Sequence, residues 1–272
     1  MSADSYQRIS VVTGSSGFLG SQICKKLLLR GDLVYGINRG THKGILDNFL
    51  NKNFIEVNCD IRDFDISEIK KCDEIYHFAG VSSYKKILSD PFDVSDSILR
   101  GTQKVLDLAK NCNAHFLFAS TVGVDNVQSN LTDRSCYDDI KRGMESYIKF
   151  FSNKHNIQSS IVRIPSIYGP MMQINEDRII PNFIVSVLKN KDPKFFGNFK
   201  DLREYCHIDD FIMDIFNIMS NKGPLINYIP SSFKINAEDL YSLIKNVVDF
   251  EIEDDFGFYR TSIYIRNTLG EV

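Results

Sequence analysis

The sequence predicts an α/β fold in which a doubly wound parallel sheet is joined to a small, interleaved C-terminal lobe. Short apolar, β-branched segments alternate with helical segments over the first 165 residues, and this alternation is typical of a parallel sheet with helices on both faces. A glycine-rich turn follows the first segment, and after Pro165 the alternation gives way to stretches rich in Pro, Gly and Asn. We therefore expect two domains, residues 1–165 and residues 166–272, the second partly interleaved with the first.

The order of the elements follows from hydrophobic pattern. Strands are predicted at residues 9–13, 33–38, 54–58, 74–78, 115–120, 159–164 and 225–230. A first helix is predicted after the glycine-rich turn, with Leu19, Ile23 and Leu27 on one face and Gly31 placed to end it. Further helices are predicted at residues 91–111, 137–153, 181–189 and 237–248. Right-handed crossovers then give a doubly wound order, which places ligands at the carboxyl ends of the strands.

Glycine recurs at three-residue intervals after the first strand, at Gly14, Gly17 and Gly20. We expect Gly14 to make the turn, Gly17 to leave room for phosphates and Gly20 to let the helix pack closely on the strand. A helix N-terminus at this turn favours an anionic ligand. The segment therefore predicts a Rossmann-type dinucleotide site that includes Gly14, Ser16, Gly17, Phe18, Leu19 and Gly20.

The end of the second strand bears on which dinucleotide is bound. Asn38 stands where such folds usually carry the carboxylate that binds the adenosine ribose, and Arg39 follows it. A carboxylate would repel a 2′-phosphate, whereas an arginine can bind one through two hydrogen bonds, and Lys43 can add a second positive charge. The sequence thus favours NADP as the cofactor, with NAD as the alternative. Asp60, which Ile61 follows, is a candidate acceptor for the adenine amino group.

A tyrosine and a lysine four residues apart, Tyr137 and Lys141, project from one face of a predicted helix. The pKa of tyrosine is about 10 in a free side chain; a lysine ammonium and an oxidised nicotinamide would lower it toward neutrality. Ser120 and Thr121 end the fifth strand, where a hydroxyl can polarise the substrate oxygen that Tyr137 protonates. We assign Thr121, Tyr137 and Lys141 as catalytic residues, and expect Ser120, Tyr137 and Lys141 to contact the cofactor.

These motifs occur in an order that resembles the extended short-chain dehydrogenase/reductases of the NAD(P)-dependent nucleotide-sugar epimerase/dehydratase family. The resemblance covers nearly the whole chain. Besides the segments above, it rests on Tyr76-His77-Phe78-Ala79-Gly80, Gly101-Thr102, Arg163-Ile164-Pro165-Ser166-Ile167-Tyr168-Gly169-Pro170 and Arg203-Glu204-Tyr205-Cys206-His207-Ile208-Asp209-Asp210. Residues 134–142 most resemble the UDP-glucuronate decarboxylase branch.

The resemblance implies a nucleotide-diphosphate-sugar substrate, a nicotinamide cofactor and a homodimer formed through two long helices of each subunit. It implies that Tyr137 is the acid/base, Thr121 its hydroxyl partner, Lys141 the anchor of the cofactor ribose and Arg203 the ligand of the substrate diphosphate. Further cofactor contacts are expected from Phe78, Ala79, Gly80, Ile164 and Ile167. Substrate contacts are expected from Ser82 and Thr121 in the first domain and from Ser166 and Arg203 in the C-terminal substrate lobe.

Departures from the family pattern bear on the reaction. Dehydratases and decarboxylases of the family carry acidic residues directly after the Ser/Thr pair. This chain has Val122 and Gly123 there, with Asp125 displaced by two residues. Ser166 replaces the asparagine of the Asn-x-Tyr-Gly-Pro motif. The missing acids disfavour dehydration and decarboxylation.

Composition and charge exclude other classes of function. The formal net charge is −3 at pH 7 and no long basic run occurs, which argues against nucleic-acid and membrane-surface partners. No apolar run approaches the roughly 20 residues that a bilayer-spanning helix needs, and the polar N-terminus has no hydrophobic signal core. The six cysteines lack metal-binding spacing, and His207 is predicted to lie where a strand leads into a helix capped by Asp209. We expect reduced thiols, no metal site and a cytoplasmic protein.

Three functional hypotheses follow. The leading one is NADPH-dependent reduction of a nucleotide-linked keto-sugar, in which Tyr137 protonates the oxygen while Thr121 shares its developing charge. The alternative is a nucleotide-sugar 4-epimerase that uses the same residues and keeps NAD tightly bound. A cofactor-sensing protein without turnover is the third, and the presence of Tyr137, Thr121 and Lys141 argues against it.

Overall fold

The structure is a computed structural model that describes residues 7–40, 52–125, 135–172, 178–193, 199–221 and 223–247. Its described residues divide into two compact units, one within Met1–Arg163 and Ile215–Tyr228, the other within Ile164–Asp214 and Ile229–Val272. Among these residues, no helix has the length and apolar character needed to cross a bilayer. The assignment of a cofactor-binding and a substrate-binding role to separate domains stays a prediction.

The strands of the described chain are β1 (Ile9–Thr13), β2 (Leu33–Asn38), β3 (Phe54–Asn58), β4 (Glu74–His77), β5 (His115–Thr121), β6 (Ser159–Ile164), β7 (Ser166–Tyr168), β8 (Arg203–His207), β9 (Ile226–Tyr228) and β10 (Phe233–Ile235). The α-helices are α1 (Phe18–Arg30), α2 (Tyr84–Ser89), α3 (Pro91–Cys112), α4 (Ser135–His155), α5 (Ile179–Leu188), α6 (Ile208–Ser220) and α7 (Ala237–Val247). Short 3₁₀ helices span Ile66–Glu68 and Val122–Asp125.

The larger sheet has the strand order β3-β2-β1-β4-β5-β6-β9. β1 pairs in parallel with β2 and β4, so that Thr13 lies opposite both Ile37 and His77. Parallel pairing also joins β2 to β3, β4 to β5 and β6 to β9. Because the order reverses between β1 and β4, their carboxyl ends flank the switch point at which doubly wound sheets bind ligands. The predicted α/β fold is confirmed.

Apolar side chains cover both faces of this sheet. Val11 and Val12 are fully buried although they point to opposite faces of β1. On one face, α3 and α4 pack over Val11, Ile75 and Phe116. Each fully buried side chain of this size contributes about 1.5–3 kcal/mol. The sheet is therefore a rigid support for the residues at its carboxyl edge.

Local chemistry defines the ends of the helices. Gly31 ends α1 with φ of 95° and donates its backbone N–H to Leu28, as its position in the sequence predicts. Asp90 caps α3 by accepting the backbone N–H of Asp93, and Pro91 occupies the first helical position. These residues fix the end of α1 and the start of α3 beside the sheet.

The second unit is built on a smaller sheet in the order β10-β8-β7. β7 runs parallel to β8 with Ser166 opposite Tyr205, and β10 runs antiparallel to β8 with Ile235 opposite Arg203. Helices α5 and α7 pack against each other through Phe183 and Tyr241, whose ring centres lie 5.2 Å apart.

The sequence prediction lacks β7, β10 and α2, which are too short for hydrophobic periodicity to reveal. It also extends β4 and β9 too far and ends β5 one residue early, before Thr121. The predicted cap at Asp209 is wrong, because α6 begins at Ile208 and Asp209 lies in its first turn. The backbone N–H of Asp209 instead bonds His207 Nδ1 at 3.3 Å.

Candidate active site

The glycine turn lies at the carboxyl end of β1 in the geometry that its sequence predicts. Gly14 has φ of 71°, and a Cβ atom there would lie 3.0 Å from the backbone of Ala79 and of Phe78. A Cβ atom on Gly20 would overlap the Gly14 carbonyl oxygen and lie 2.8 Å from its carbon. Only glycine therefore permits this close approach of α1 to the turn.

The N-terminus of α1 is open to an anionic group. Its cap residue, Gly17, has no side chain to accept the first backbone N–H groups, and the first turn carries no acidic residue. Residues 16–19 are partly exposed. A turn that begins and ends with glycine, followed by uncapped N–H groups, fits a dinucleotide pyrophosphate. The assignments of Ser16, Phe18 and Leu19 as cofactor ligands stay predictions.

Asn38 is buried at the end of β2, and its amide binds protein groups. Its Nδ2 donates to Ser15 Oγ at 3.2 Å and to Glu56 Oε1 at 3.0 Å, while its Oδ1 accepts the Gly40 N–H at 2.6 Å. The side chain of Glu56, on β3, thus places a carboxylate next to Asn38, the neutral residue at the position where such folds usually carry an acid. Sequence reasoning missed Glu56, because the contact depends on the pairing of β2 with β3.

Arg39 is half-exposed, and its Nη1 lies 4.0 Å from Asp60 Oδ2. Asp60 is held more closely by Arg62, through hydrogen bonds of 2.9 and 2.8 Å. The Arg62 guanidinium lowers the pKa of Asp60 to about 2. Asp60 is thus an ionised acceptor, and Ile61 is buried against Gly101. Lys43 lies outside the described residues.

The end of β4 is tied to β1 and α3 through His77. Its Nδ1 lies 2.7 Å from Thr13 Oγ1 and its Nε2 3.0 Å from Thr102 Oγ1. The same Thr13 hydroxyl accepts the Ala79 N–H at 3.0 Å. Burial, with a smaller effect of the Lys141 charge, lowers the pKa of His77 to about 3. His77 is a neutral packing residue that holds the segment 78–80 in place.

Tyr137 and Lys141 lie on the buried face of α4. Lys141 is 5% exposed, its Nζ donates to the Ala119 carbonyl at 2.9 Å and lies 4.5 Å from the centre of the Phe118 ring. The centre of the Tyr137 ring is 5.9 Å from the same Nζ. Burial lowers the pKa of Lys141 to about 8, against the opposing effect of Glu145. The titration point of Lys141 therefore lies closer to neutral pH than that of an exposed lysine.

Ser120 and Thr121 are buried at the end of β5. Thr121 Oγ1 accepts the backbone N–H of Gly123 at 3.1 Å, which leaves its own proton available to donate. Ser120 Oγ donates to Glu145 Oε1 at 2.5 Å. Lys141 contacts the same strand at Ala119, so the structure brings Ser120, Thr121 and the Tyr137–Lys141 pair to one edge of the sheet.

The carboxylates next to this set differ in their partners. Asp125, the acid that the sequence places nearest the family positions, is bound by Arg163 Nη1 at 2.6 Å and by the Tyr228 hydroxyl at 3.1 Å. Asp138 lies against Gly123, where a Cβ atom would be 2.5 Å from Asp138 Oδ1. The carboxylate of Asp138 thus occupies the space beside Gly123, which sequence reasoning did not foresee.

The remaining predicted site residues fall in both units. Gly80 has φ of 148°, and a Cβ atom there would lie 3.8 Å from Lys141 Nζ. Ser82 is partly exposed before α2. In the second unit, Ile164 and Ile167 are buried, whereas Ser166 and Arg203 begin β7 and β8. Their roles as ligands stay predictions.

A sequence model described as the NAD dependent epimerase/dehydratase family matches residues 10–227. UDP-glucuronic acid decarboxylase 2 of Arabidopsis thaliana is 28% identical over 257 residues, which is 88% of this chain and 57% of the relative. The chain therefore spans little more than half the length of this relative. A provisionally named UDP-glucose 4-epimerase of Methanocaldococcus jannaschii is 27% identical, over 96% of this chain and 87% of the relative.

Solved structures share the fold. A UDP-glucuronic acid 4-epimerase from Bacillus cereus, in complex with UDP-glucuronic acid and NAD, superposes with a TM-score of 0.80 and is 20% identical. A UDP-glucose 4-epimerase from Thermotoga maritima, with UDP-glucose, has a TM-score of 0.78 and is 19% identical. Each match covers 96% of this chain and 99% of the other. At this level of identity the likeness establishes the architecture alone.

Proposed function

The chain belongs to the NAD-dependent epimerase/dehydratase family, and we propose that it is a nucleotide-sugar 4-epimerase with tightly bound NAD. The observation that carries the proposal is the buried Tyr137–Lys141 pair on α4 beside the Thr121 hydroxyl. These groups can move one proton at one sugar oxygen. A 4-epimerase needs no other acid/base, because the same tyrosine takes the proton and returns it.

The chain's own residues perform the proton chemistry. The glycine turn and the uncapped start of α1 would hold the dinucleotide, whose nicotinamide supplies the hydride acceptor and donor. The Lys141 ammonium stabilises the Tyr137 phenolate, which takes the proton of the sugar hydroxyl. Thr121 donates its hydroxyl proton to the same oxygen and stabilises its developing charge. The sheet edge excludes water from the pair, since both side chains are buried.

Two observations support epimerisation over the other reactions of the family. Val122 and Gly123, directly after Thr121, carry no ionisable group of their own, and the carboxylate beside Gly123 is that of Asp138 on α4. The Methanocaldococcus relative also matches over 87% of its length, against 57–77% for the Arabidopsis decarboxylases.

Glu56 supports NAD as the retained cofactor. Its carboxylate accepts from Asn38 at 3.0 Å, and Asp60 places a second carboxylate near Arg39. A 2′-phosphate on the adenosine ribose would face both negative charges, whereas free ribose hydroxyls can donate to them.

Arg39 favours a second candidate, the NADPH-dependent reduction of a nucleotide-linked keto-sugar. Its guanidinium is half-exposed at the end of β2, and its ion pair with Asp60 is long, at 4.0 Å. A 2′-phosphate can therefore compete with Asp60 for it. This reaction uses Tyr137, Thr121 and Lys141 in the same roles, but exchanges the cofactor in each cycle.

Denaturing the freshly purified protein and identifying the released nucleotide separates the two candidates. The epimerase predicts about one equivalent of NAD per chain and interconversion of 4-epimeric UDP- or dTDP-sugars without added cofactor. An empty protein that oxidises NADPH with keto-sugar nucleotides would establish the reductase instead.

Two substitutions on α4 test the proton transfer. Tyr137→Phe should lower turnover about 10²–10⁴-fold, the usual contribution of a general acid/base, while NAD remains bound. Tyr147→Phe removes a hydroxyl from an exposed position of the same helix but keeps its ring, and should leave turnover unchanged. Equal turnover in the two variants would eliminate Tyr137 as the acid/base.

We also propose that the protein is a homodimer that pairs α3 and α4 of each subunit. These two helices pack side by side and expose large apolar side chains: Phe92 is 85% exposed and Phe150 62%. Leu99 and Tyr147, at helical spacing from them, are exposed as well. Four large apolar groups on adjoining helices support an interface.

A further inference from the structure

Glu145 is a buried acid that the proton-transfer scheme does not use. It is 5% exposed and lies one helical turn after Lys141 on the same buried face of α4. A buried carboxylate is costly unless it is paired. Its partners therefore indicate what it does.

Both oxygens of Glu145 are hydrogen-bonded. Oε1 accepts the Ser120 hydroxyl at 2.5 Å and Arg163 Nε at 3.1 Å, and Oε2 accepts Arg163 Nη2 at 2.7 Å. The first contact reaches β5 directly beside Thr121, and the other two reach β6. One carboxylate thus connects α4 to both strands behind the catalytic residues.

Arg163 is in turn held from the other side. Its Nη1 donates to Asp125 and to the Tyr228 hydroxyl, and its guanidinium lies 5.2 Å from the centre of the Tyr228 ring. The Arg163 charge is thereby shared between two carboxylates, so Glu145 is not fully neutralised by it. A net negative influence on Lys141 remains.

The described groups that face the Lys141 ammonium are few. Tyr137 and Glu145 lie on its own helix, and neutral His77 faces it from β4. Arg163 on β6 and Asp125 lie behind Glu145. Burial lowers the pKa of Lys141, and the negative charge of Glu145 raises it. The ammonium form of Lys141 therefore depends on that carboxylate.

We propose that Glu145 is a positioning residue of the catalytic site, whose carboxylate holds Ser120 beside Thr121 and keeps Lys141 in its ammonium form. The inference rests on the proposed function for its link to turnover, but not for its effect on Lys141. A lysine four residues before a carboxylate on one helix face is close enough for direct charge interaction. Removing the negative charge should let Lys141 lose its proton at lower pH.

The direct test follows the Lys141 Nζ resonance by NMR in ¹⁵N-lysine-labelled protein across pH, assigned by its loss in Lys141→Arg. In Glu145→Gln the titration midpoint should fall by about one pH unit or more. In Glu145→Asp, which keeps the charge, it should stay near the wild-type value. A midpoint unchanged in Glu145→Gln would overturn the proposal.

Glu74→Gln is the matched control. Glu74 is also a buried carboxylate in ion pairs, with Arg8 and Arg30, but it lies at the amino edge of the sheet on β4. Its loss should destabilise the fold without moving the Lys141 midpoint. If both variants move the midpoint equally, the effect is general loosening and the proposal is wrong.

Arg163→Gln keeps the proposal testable if Glu145→Gln does not fold. Removing this positive charge should raise the Lys141 midpoint, the opposite sign to Glu145→Gln, and a fall would contradict the proposal. The alkaline limb of the pH–rate profile should move with the NMR midpoint. If Glu145→Gln lowers the Lys141 midpoint but the wild-type protein shows no turnover, the proposed function is wrong and the electrostatic role of Glu145 still holds.

Discussion

The close packing of α1 on the glycine turn leaves no room for a methyl group at position 20. Gly20→Ala places a Cβ atom into the Gly14 carbonyl, and such overpacking costs about 1–3 kcal/mol. We expect this loss in urea unfolding. In protein stripped of its bound NAD, we also expect at least about tenfold weaker NADH binding by fluorescence, since the phosphate-binding turn must shift.

The control for this substitution is Gly143→Ala on α4, where no atom lies within 4 Å of the added Cβ. Alanine is favoured over glycine in a helix by about 0.5–1 kcal/mol, so this variant should be slightly more stable and bind NADH normally. Wild-type binding by Gly20→Ala would show that close packing of α1 is not required.

His77 should make the protein sensitive to mild acid. Burial lowers its pKa from 6.5 to about 3. At pH values between these two, His77 therefore binds a proton in the unfolded chain but not in the folded protein. Stability is complete above pH 6.5 and falls as the pH decreases, by about 2 kcal/mol between pH 6.5 and 5 from this group.

Urea denaturation at these two pH values, in wild type and in His77→Gln, measures this contribution. The variant loses contacts to Thr13 and Thr102 and should be less stable at pH 6.5, but its stability should change less on acidification. The same pH dependence in both proteins would contradict the assignment.

Residue-level prediction from sequence succeeds where a side chain's role depends on its own element. The four-residue spacing of Tyr137 and Lys141 correctly places both on the buried face of one helix. It fails for Glu56 and Asp138, whose contacts to Asn38 and Gly123 join different elements. For Glu145 a signal exists, because it lies four residues after Lys141, but nothing local indicates that Ser120 and Arg163 meet it.

At the scale of elements, the start of α3 depends on its cap. Asp90→Ala removes the acceptor that the Asp93 N–H binds at 3.1 Å and should cost about 1 kcal/mol of unfolding free energy. Asp90→Asn keeps the acceptor and loses the exposed ion pair with Lys86, which contributes little. Chemical denaturation should therefore give wild type and Asp90→Asn the same free energy of unfolding. If Asp90→Ala is equally stable, the cap does not stabilise α3.

Most elements of the first unit follow from hydrophobic pattern, because buried parallel strands are continuous apolar runs. The bounds of β1, β2, β3 and β6 agree with the prediction to the residue. The second unit is less predictable. Its β7 and β10 have three residues each, and such short strands are specified by pairing with β8 instead of by their own sequence.

At the scale of the whole molecule, the exposed apolar groups of α3 and α4 predict self-association. Phe150→Lys should convert a dimer to a monomer in sedimentation velocity, because a desolvated lysine in an apolar interface is strongly unfavourable. Leu29→Lys is the control, since Leu29 is 66% exposed on α1 and should leave the mass unchanged. A monomeric wild type would refute the proposed interface.

The contact between Asp125 and Tyr228 has a consequence for biosynthesis. The two residues are separated by 103 positions, and at about 5–20 residues per second the ribosome needs about 5–20 seconds to make the chain between them. Until then β6 has no β9 beside it and its outer edge can pair with strands of other nascent chains. A ribosome that pauses after β6 (Ser159–Ile164) and before β9 (Ile226–Tyr228) is made therefore holds the chain at a stage at which the outer edge of β6 is unpaired.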